Sequence, residues 1–251
     1  MTSHKSMFLS RLFLVAITAC ACISILPAAL AQVDWKHLSS VDGVLDPPNE
    51  GSQQTCLVVA DIDRDGIDDF VIGERTKTPS VVWYKFDGKN RWNKFVIDNT
   101  PLKPEAGGAA CDLDRDDDLD IILGQDASGN QMWWFENPGT NYNQAWKRHL
   151  IKNTGVSKHH DQTTADYDGD GHPELITWNQ KAKQLLWYEI PQQPQDISAW
   201  KPQTVYTWDS GLELEGFPSQ PQDIDGDGLI DLVGGGRWFK LTMTDKKPAL
   251  K

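Results

Sequence analysis

Three features of the sequence predict an all-β protein, a β-propeller of about four repeated blades. An acidic nonapeptide recurs four times, an aromatic strand follows each copy, and no stretch carries a 3.6-residue apolar period. A unit of three or four short strands over about 54 residues cannot bury both of its faces, and stacking copies around an axis solves that problem.

The nonapeptides are DIDRDGIDD (61–69), DLDRDDDLD (112–120), DYDGDGHPE (166–174) and DIDGDGLID (223–231), with starts 51, 54 and 57 residues apart. Each carries acidic side chains at positions 1, 3, 5 and 9. These are Asp61, Asp63, Asp65 and Asp69; Asp112, Asp114, Asp116 and Asp120; Asp166, Asp168, Asp170 and Glu174; and Asp223, Asp225, Asp227 and Asp231. Position 6 is Gly66, Gly171 or Gly228 in three copies, but Asp117 in the second, where a strained turn is expected. Alternating carboxylates on a sharply turning loop converge on one point. Together with the carbonyl of position 7 they suit a hard cation that takes six to eight oxygens, so Ca²⁺ is expected over the stricter Mg²⁺. The alternative is a solvated acidic turn, which four copies in register disfavour. An EF-hand is excluded. That loop closes with Glu at position 12, where this chain has Ile72, Leu123, Thr177 and Gly234, each in a short apolar run that reads as a strand.

Residues 1–31 read as a secretory signal, with Lys5 and Arg11 before an apolar core and Ala29-Leu30-Ala31 as a cleavage site. A secreted or periplasmic location follows, with a lipoprotein anchored at Cys20 or Cys22 the weaker alternative for want of a good lipobox. No stretch is long enough for a membrane span. Without the signal, 22 Lys and Arg face 36 Asp and Glu, a net charge of −14, and 19 of those acids lie in the four nonapeptides. Four divalent ions would leave about −6, so the acidity is mostly a metal-site signature, and it argues against nucleic acid or an anionic membrane as partner. Cys56 and Cys111 remain. Small buried residues are the expected roles, and a disulfide, although compatible with export, is disfavoured by their different offsets from the acidic loops.

The aromatic strands are VVWYK from Val81, MWWFEN from Met132, LLWYEI from Leu185 and RWFK from Arg237. A second Trp strand follows at Trp92, Trp146 and Trp200, and WKHL from Trp35 matches it with nothing before it. Eight of the 11 Trp occupy repeated positions, which points to packing between blades. Trp133, Trp178 and Trp208 break the pattern. They are the better candidates for stacking on a ligand, with partial core burial still the favoured reading.

The D-x-D-x-D-G-x-x-D loop followed by an apolar strand and Gly, as in residues 61–73 and 223–234, resembles the FG-GAP or VCBS repeat family. The resemblance covers most of residues 32–251, with repeats starting near 56, 107, 161 and 218. It implies a propeller like the integrin α-subunit head, with Ca²⁺ in the loops. The WYE and WFENPG strands followed by WKRHLI are similar to a bacterial secreted subgroup, akin to the propeller part of aldos-2-ulose dehydratase-type and polysaccharide-lyase-type proteins. No catalytic motif maps across. Family propellers usually have about seven blades. Either the Trp35 strand completes a closed four-bladed ring, or these repeats are part of a larger propeller. The second is slightly favoured because only a polar tail, TDKKPALK, follows Phe239.

The least repetitive segments precede the acidic loops and are candidate functional loops. His159, His160 and Asp161 with Glu105, Glu213 and Glu215 are expected as a polar group around the axis, able to hold a transition metal or do acid–base work on a sugar. The competing reading is a solvated polar loop, and two adjacent His on an extended chain point apart. No nucleophilic triad, phosphate-cradling loop or zinc helix is present. The expected function is a calcium-binding module for extracellular carbohydrate or protein. The alternatives are a sugar lyase or dehydratase, and a structural piece of a larger assembly.

Overall fold

The apolar run after each acidic loop forms a strand, and in the first three repeats it is an inner strand of an antiparallel sheet. The computed structural model describes residues 35–89, 91–209, 211–244 and 247–251. The expected signal, residues 1–31, lies outside them. Sheet one contains β1 (Gln54–Ala60), β2 (Asp69–Glu74), β3 (Val81–Phe86) and β4 (Trp92–Asp98). Sheet two contains β5 (Ala109–Cys111), β6 (Asp120–Gly124), β7 (Met132–Glu136) and β8 (Lys147–Lys152). Sheet three contains β9 (His159–Ala165), β10 (Glu174–Asn179), β11 (Gln184–Glu189) and β12 (Pro202–Thr207), and in every sheet the strands pair in chain order. Two hairpins follow, β13 (Leu232–Gly234) with β14 (Arg237–Phe239), and β15 (Leu241–Thr244) with β16 (Lys247–Leu250). Among the described residues the only helix is a single 3₁₀ turn, Ile197–Ala199. Leu38–Lys251 form one unit. This all-β arrangement is propeller-like, and no closed ring forms among the described residues.

One register repeats. The second residue of the apolar run always faces the repeated Trp: Val71 opposite Trp83, Ile122 opposite Trp134, Ile176 opposite Trp187 and Val233 opposite Trp238. β-branched against aromatic is a favourable cross-strand pair. The sheets then pack face to face through three cores. The first joins Ile62, Val71 and Trp83 to Ile121 and Trp133, the second joins Leu113 and Trp134 to Leu175 and Tyr188, and the third joins Tyr167 and Trp187 to Leu232 and Phe239. Position 2 of each acidic loop (Ile62, Leu113, Tyr167) is therefore a plug into the next unit. In the fourth repeat that plug, Ile224, is 54% exposed, and Trp238 is 50% exposed.

Some expectations hold and others need correction. Trp35 is 90% exposed and the WKHL stretch forms no strand. The TDKKPALK tail is not merely polar coil, because much of it belongs to the β15–β16 hairpin, which lies beside β12 and receives a 3.2 Å hydrogen bond from Gln203 Nε2 at the Pro248 carbonyl. Trp133, Trp178 and Trp208 are buried in the cores, so none offers a ring to a ligand. The cysteines are separate thiols, as the offsets implied, and burial pushes Cys56 up to about 12.

Candidate metal centres

The four acidic loops share one internal architecture. Position 1 folds the loop onto itself. The Asp61 carboxylate accepts from the amides of Asp65 and Gly66 at 3.0 and 2.9 Å, and Asp112, Asp166 and Asp223 each accept from the position 4 and position 6 amides of their own loops. Position 5 caps the turn two residues on: Asp65 accepts from Ile67, Asp116 from Asp118, Asp170 from His172 and Asp227 from Leu229. These bonds require a left-handed backbone at positions 4 and 6. Gly meets it without cost at Gly171 (φ +91°) and Gly228 (φ +93°), while Asp117 holds φ +75° in the second loop, the strain its sequence foretold.

Position 9 begins the inner strand in the first three repeats and precedes β13 in the fourth, and it is buried: Asp69, Asp120, Glu174 and Asp231 are all at most 3% exposed. Its carboxylate also ties the loop to the sheet. Asp69 accepts from the Trp83 indole at 3.1 Å and the Phe86 amide, Asp120 from the amides of Leu113 and Asn137, Glu174 from the Tyr167 amide and Asp231 from the Ile224 amide. Carboxylate oxygens then converge to within 4.8 Å of one another. The sets are Asp61, Asp63 and Asp65; Asp112, Asp114 and Asp120; Asp166, Asp168, Asp170 and Glu174; and Asp223, Asp225 and Asp231. Only the third loop gathers all four expected side chains. Asp69, Asp116 and Asp227 stand outside their groups.

The electrostatics of these groups are unfavourable without a cation. Burial, reinforced by neighbouring carboxylates, pushes Glu174 up to about 8 and Asp120 up to about 8. Glu174 Oε1 and Asp114 Oδ1 are buried with no hydrogen-bond partner. A buried unpaired carboxylate oxygen is costly, and a hard cation at the convergence point satisfies it. The donor set, all oxygen and largely carboxylate, fits calcium.

Two residues that pattern reading passed over also reach these loops. Lys85 Nζ pairs with Asp63 and, at 2.7 Å, with Asp65. Lys240 Nζ pairs with Asp225 and, at 2.7 Å, with Asp227. Both were legible only as strand residues, since neither lies in a nonapeptide.

The first strands β1, β5 and β9, with Phe217, Pro218, Ser219 and Pro221, line a groove of about 370 Å³. Asp161 lies on its wall and belongs to a polar group. His160 Nδ1 stands 2.7 Å from Asp161 Oδ2, and His160 Nε2 stands 3.5 Å from Glu215 Oε2. Burial alone would lower His160, but the bond to Asp161, with the charges of Asp161, Glu105 and Glu215, outweighs it and raises the imidazole. Glu105 is itself paired with Arg75. The other candidates separate. His159 is fully buried on the opposite face of β9, with Lys152 Nζ 3.0 Å from its Nε2, and burial drives its titration down to about 3. Glu213 is exposed and pairs with Lys158 at 2.6 Å. The two adjacent His therefore do not share a site, because β9 is extended and alternates its faces. The stretch expected as a loop at 159–162 is the start of that strand.

No curated protein matches this chain. Residues 112–177, running from the second acidic loop through sheet two and the third loop into β10, match the model of the FG-GAP-like repeat, consistent with an FG-GAP/VCBS repeat family.

Proposed function

We propose that this protein is a secreted or periplasmic calcium-binding propeller module, spanning residues 32–251, that binds carbohydrate or protein in or around its groove. The observation that carries the calcium reading is the third loop. Asp166, Asp168, Asp170 and Glu174 aim oxygens at one point, and Glu174, 0% exposed, leaves Oε1 unpartnered. When bound there, calcium offsets the mutual repulsion of the carboxylates and holds the loop against the next unit through the plug at position 2. The groove and its polar rim of His160, Asp161 and Glu215 support the ligand reading, since a concave surface with a few convergent polar groups suits a small polar ligand.

The test is a thermal melt in millimolar calcium and in chelator. A ligand at about 1,000 times its dissociation constant stabilises by about 4 kcal/mol per site, which for a unit of this size moves the midpoint by roughly 10 °C. An unchanged midpoint, together with no bound metal by elemental analysis, refutes the calcium reading. A glycan array run in calcium then addresses the ligand.

The pairing of His160 with two carboxylates favours a second reading, acid–base work on a sugar as in a lyase or dehydratase. On that reading His160→Ala and Glu215→Ala each abolish turnover of a degraded glycan with little change in melting midpoint. Full activity in both removes this group as the active site.

A further inference from the structure

We infer that the chain supplies its own cation to the first and fourth acidic loops, so that it takes up two calcium ions, in the second and third loops, rather than four. This inference rests on the calcium reading proposed above and concerns how the four loops divide.

The division is written at one repeated position. Two residues after the Trp that faces the apolar run stand Lys85, Glu136, Glu189 and Lys240, the first three in sheets one, two and three and the last directly after β14. The fold places each of these side chains beside the acidic loop of its own repeat. In the first repeat the Lys85 ammonium joins Asp63 and Asp65, and in the fourth the Lys240 ammonium joins Asp225 and Asp227. These are positions 3 and 5 in both loops; in the first loop both carboxylates belong to the converging set, and in the fourth Asp225 does. The Asp63 side chain is only 3% exposed and Lys85 only 19%, and Tyr142 Oη lies over the pair at 3.4 Å from Asp63 Oδ2. Asp63 Oδ1 has no hydrogen-bond partner, but it belongs to the carboxylate that Lys85 already neutralises.

The second and third repeats reverse the charge. Glu136 and Glu189 put a carboxylate where the other repeats have an ammonium; Glu136 shares its charge with Lys147, at 3.3 Å, and stands 2.7 Å from His149 Nε2, but neither of those partners reaches the loop itself. Among the described residues no Lys or Arg nitrogen comes within salt-bridge distance of the acidic side chains of either loop, and these are the loops whose Asp114 Oδ1 and Glu174 Oε1 remain buried and unpartnered. An ammonium held on a converging carboxylate competes with a divalent ion, because both need the same oxygens and repel each other. An extra carboxylate there raises the local negative charge and favours the ion, as affinity in such loops follows the ligand charge count. The first and fourth loops therefore fold without calcium, and the second and third depend on it.

The deciding measurement is the calcium stoichiometry of the purified full chain, stripped with chelator and titrated with calcium chloride by calorimetry and equilibrium dialysis. Two ions per chain are expected. Asp168→Asn is expected to remove one, and Asp63→Asn to leave the count at two. Lys85→Glu and Lys240→Glu are each expected to add one. A wild-type count of one, three or four, or loss of an ion in Asp63→Asn, overturns the inference and leaves the calcium reading standing. A count of zero overturns the calcium reading itself, and this inference with it. A check that needs no variant is acetylation of the wild type by acetic anhydride, read by mass spectrometry. Lys85 and Lys240 are expected to react equally slowly with and without calcium. A tenfold rise on adding calcium would mean that the ion displaces them, and would overturn the inference.

Discussion

The chemistry of His160 is set by one neighbour. Its ring is largely buried, which opposes a charge, yet Asp161 2.7 Å away prevails and the titration is raised. The sign for stability follows. A His whose folded value lies above its unfolded value of about 6.5 stabilises fully below that pH, and the contribution disappears as pH rises through the folded value. Asp161→Asn removes the partner and leaves burial, so the His160 ring is expected to titrate below its wild-type value when followed by NMR. An unchanged titration would mean that Glu105 and Glu215 alone hold the charge. Asp161 itself adopts φ +45°, an uncommon conformation for a non-glycine residue, fixed where its carboxylate also accepts the Gly216 amide at 2.6 Å. Strain held at a polar group beside a groove is the kind found at functional positions.

At the scale of the strand, the repeated Trp is the main anchor. Trp134 is completely buried, faces Ile122 and stacks on His149 with ring centroids 4.2 Å apart. Truncating such a side chain leaves a cavity its neighbours cannot fill, and costs about 3–5 kcal/mol. Trp238 holds the same register opposite Val233 but is half exposed, since no further sheet covers it among the described residues. Urea denaturation is therefore expected to separate two substitutions that a sequence alignment of the repeats would treat as equal. Trp134→Ala should lose about 3–5 kcal/mol and Trp238→Ala about 1 kcal/mol or less. Comparable losses would show that the fourth repeat packs against something other than solvent.

For the molecule as a whole, the acidic loops concentrate negative charge on a chain whose formal net charge is −12. Among the described residues only Lys85 and Lys240 pair with the loop carboxylates, so in chelator most of that charge is uncompensated and self-repulsion weakens the folded state. Raising sodium chloride from about 0.01 to about 0.15 M shortens the screening length from about 30 to about 8 Å. The melting midpoint in chelator is expected to rise over that range, and to rise less in calcium, where bound ions already offset the charge. Equal salt dependence in the two conditions would argue that the loops do not load. The interfaces between successive units are one-sided. Each unit inserts its position 2 plug and its Trp into the next, and the series ends at Ile224 and Trp238, which are exposed.

The sequence by itself determined the repeat, the strand that follows each acidic loop, the recurring Trp positions and, in the third loop, the convergence of all four carboxylates. All of these rest on short-range patterns: alternation along a strand, a left-handed turn at fixed offsets, and carboxylates two residues apart on one loop. The polar group expected of His159 and His160 together came apart, because the stretch read as a loop is an extended strand that alternates its faces. Only the tertiary structure decided which carboxylates are already satisfied. Lys85 lies 20 residues from Asp65 in sequence, and Lys240 lies 15 from Asp225. Their ammonium groups reach the loops because antiparallel pairing folds the third strand back beside the loop that precedes the second. The burial of Trp133, Trp178 and Trp208, the exposure of Trp238 and the hairpin at the C-terminal end were likewise settled by which sheet packs on which. Packing between units depends on surfaces far apart in the chain, and no local pattern carries that information.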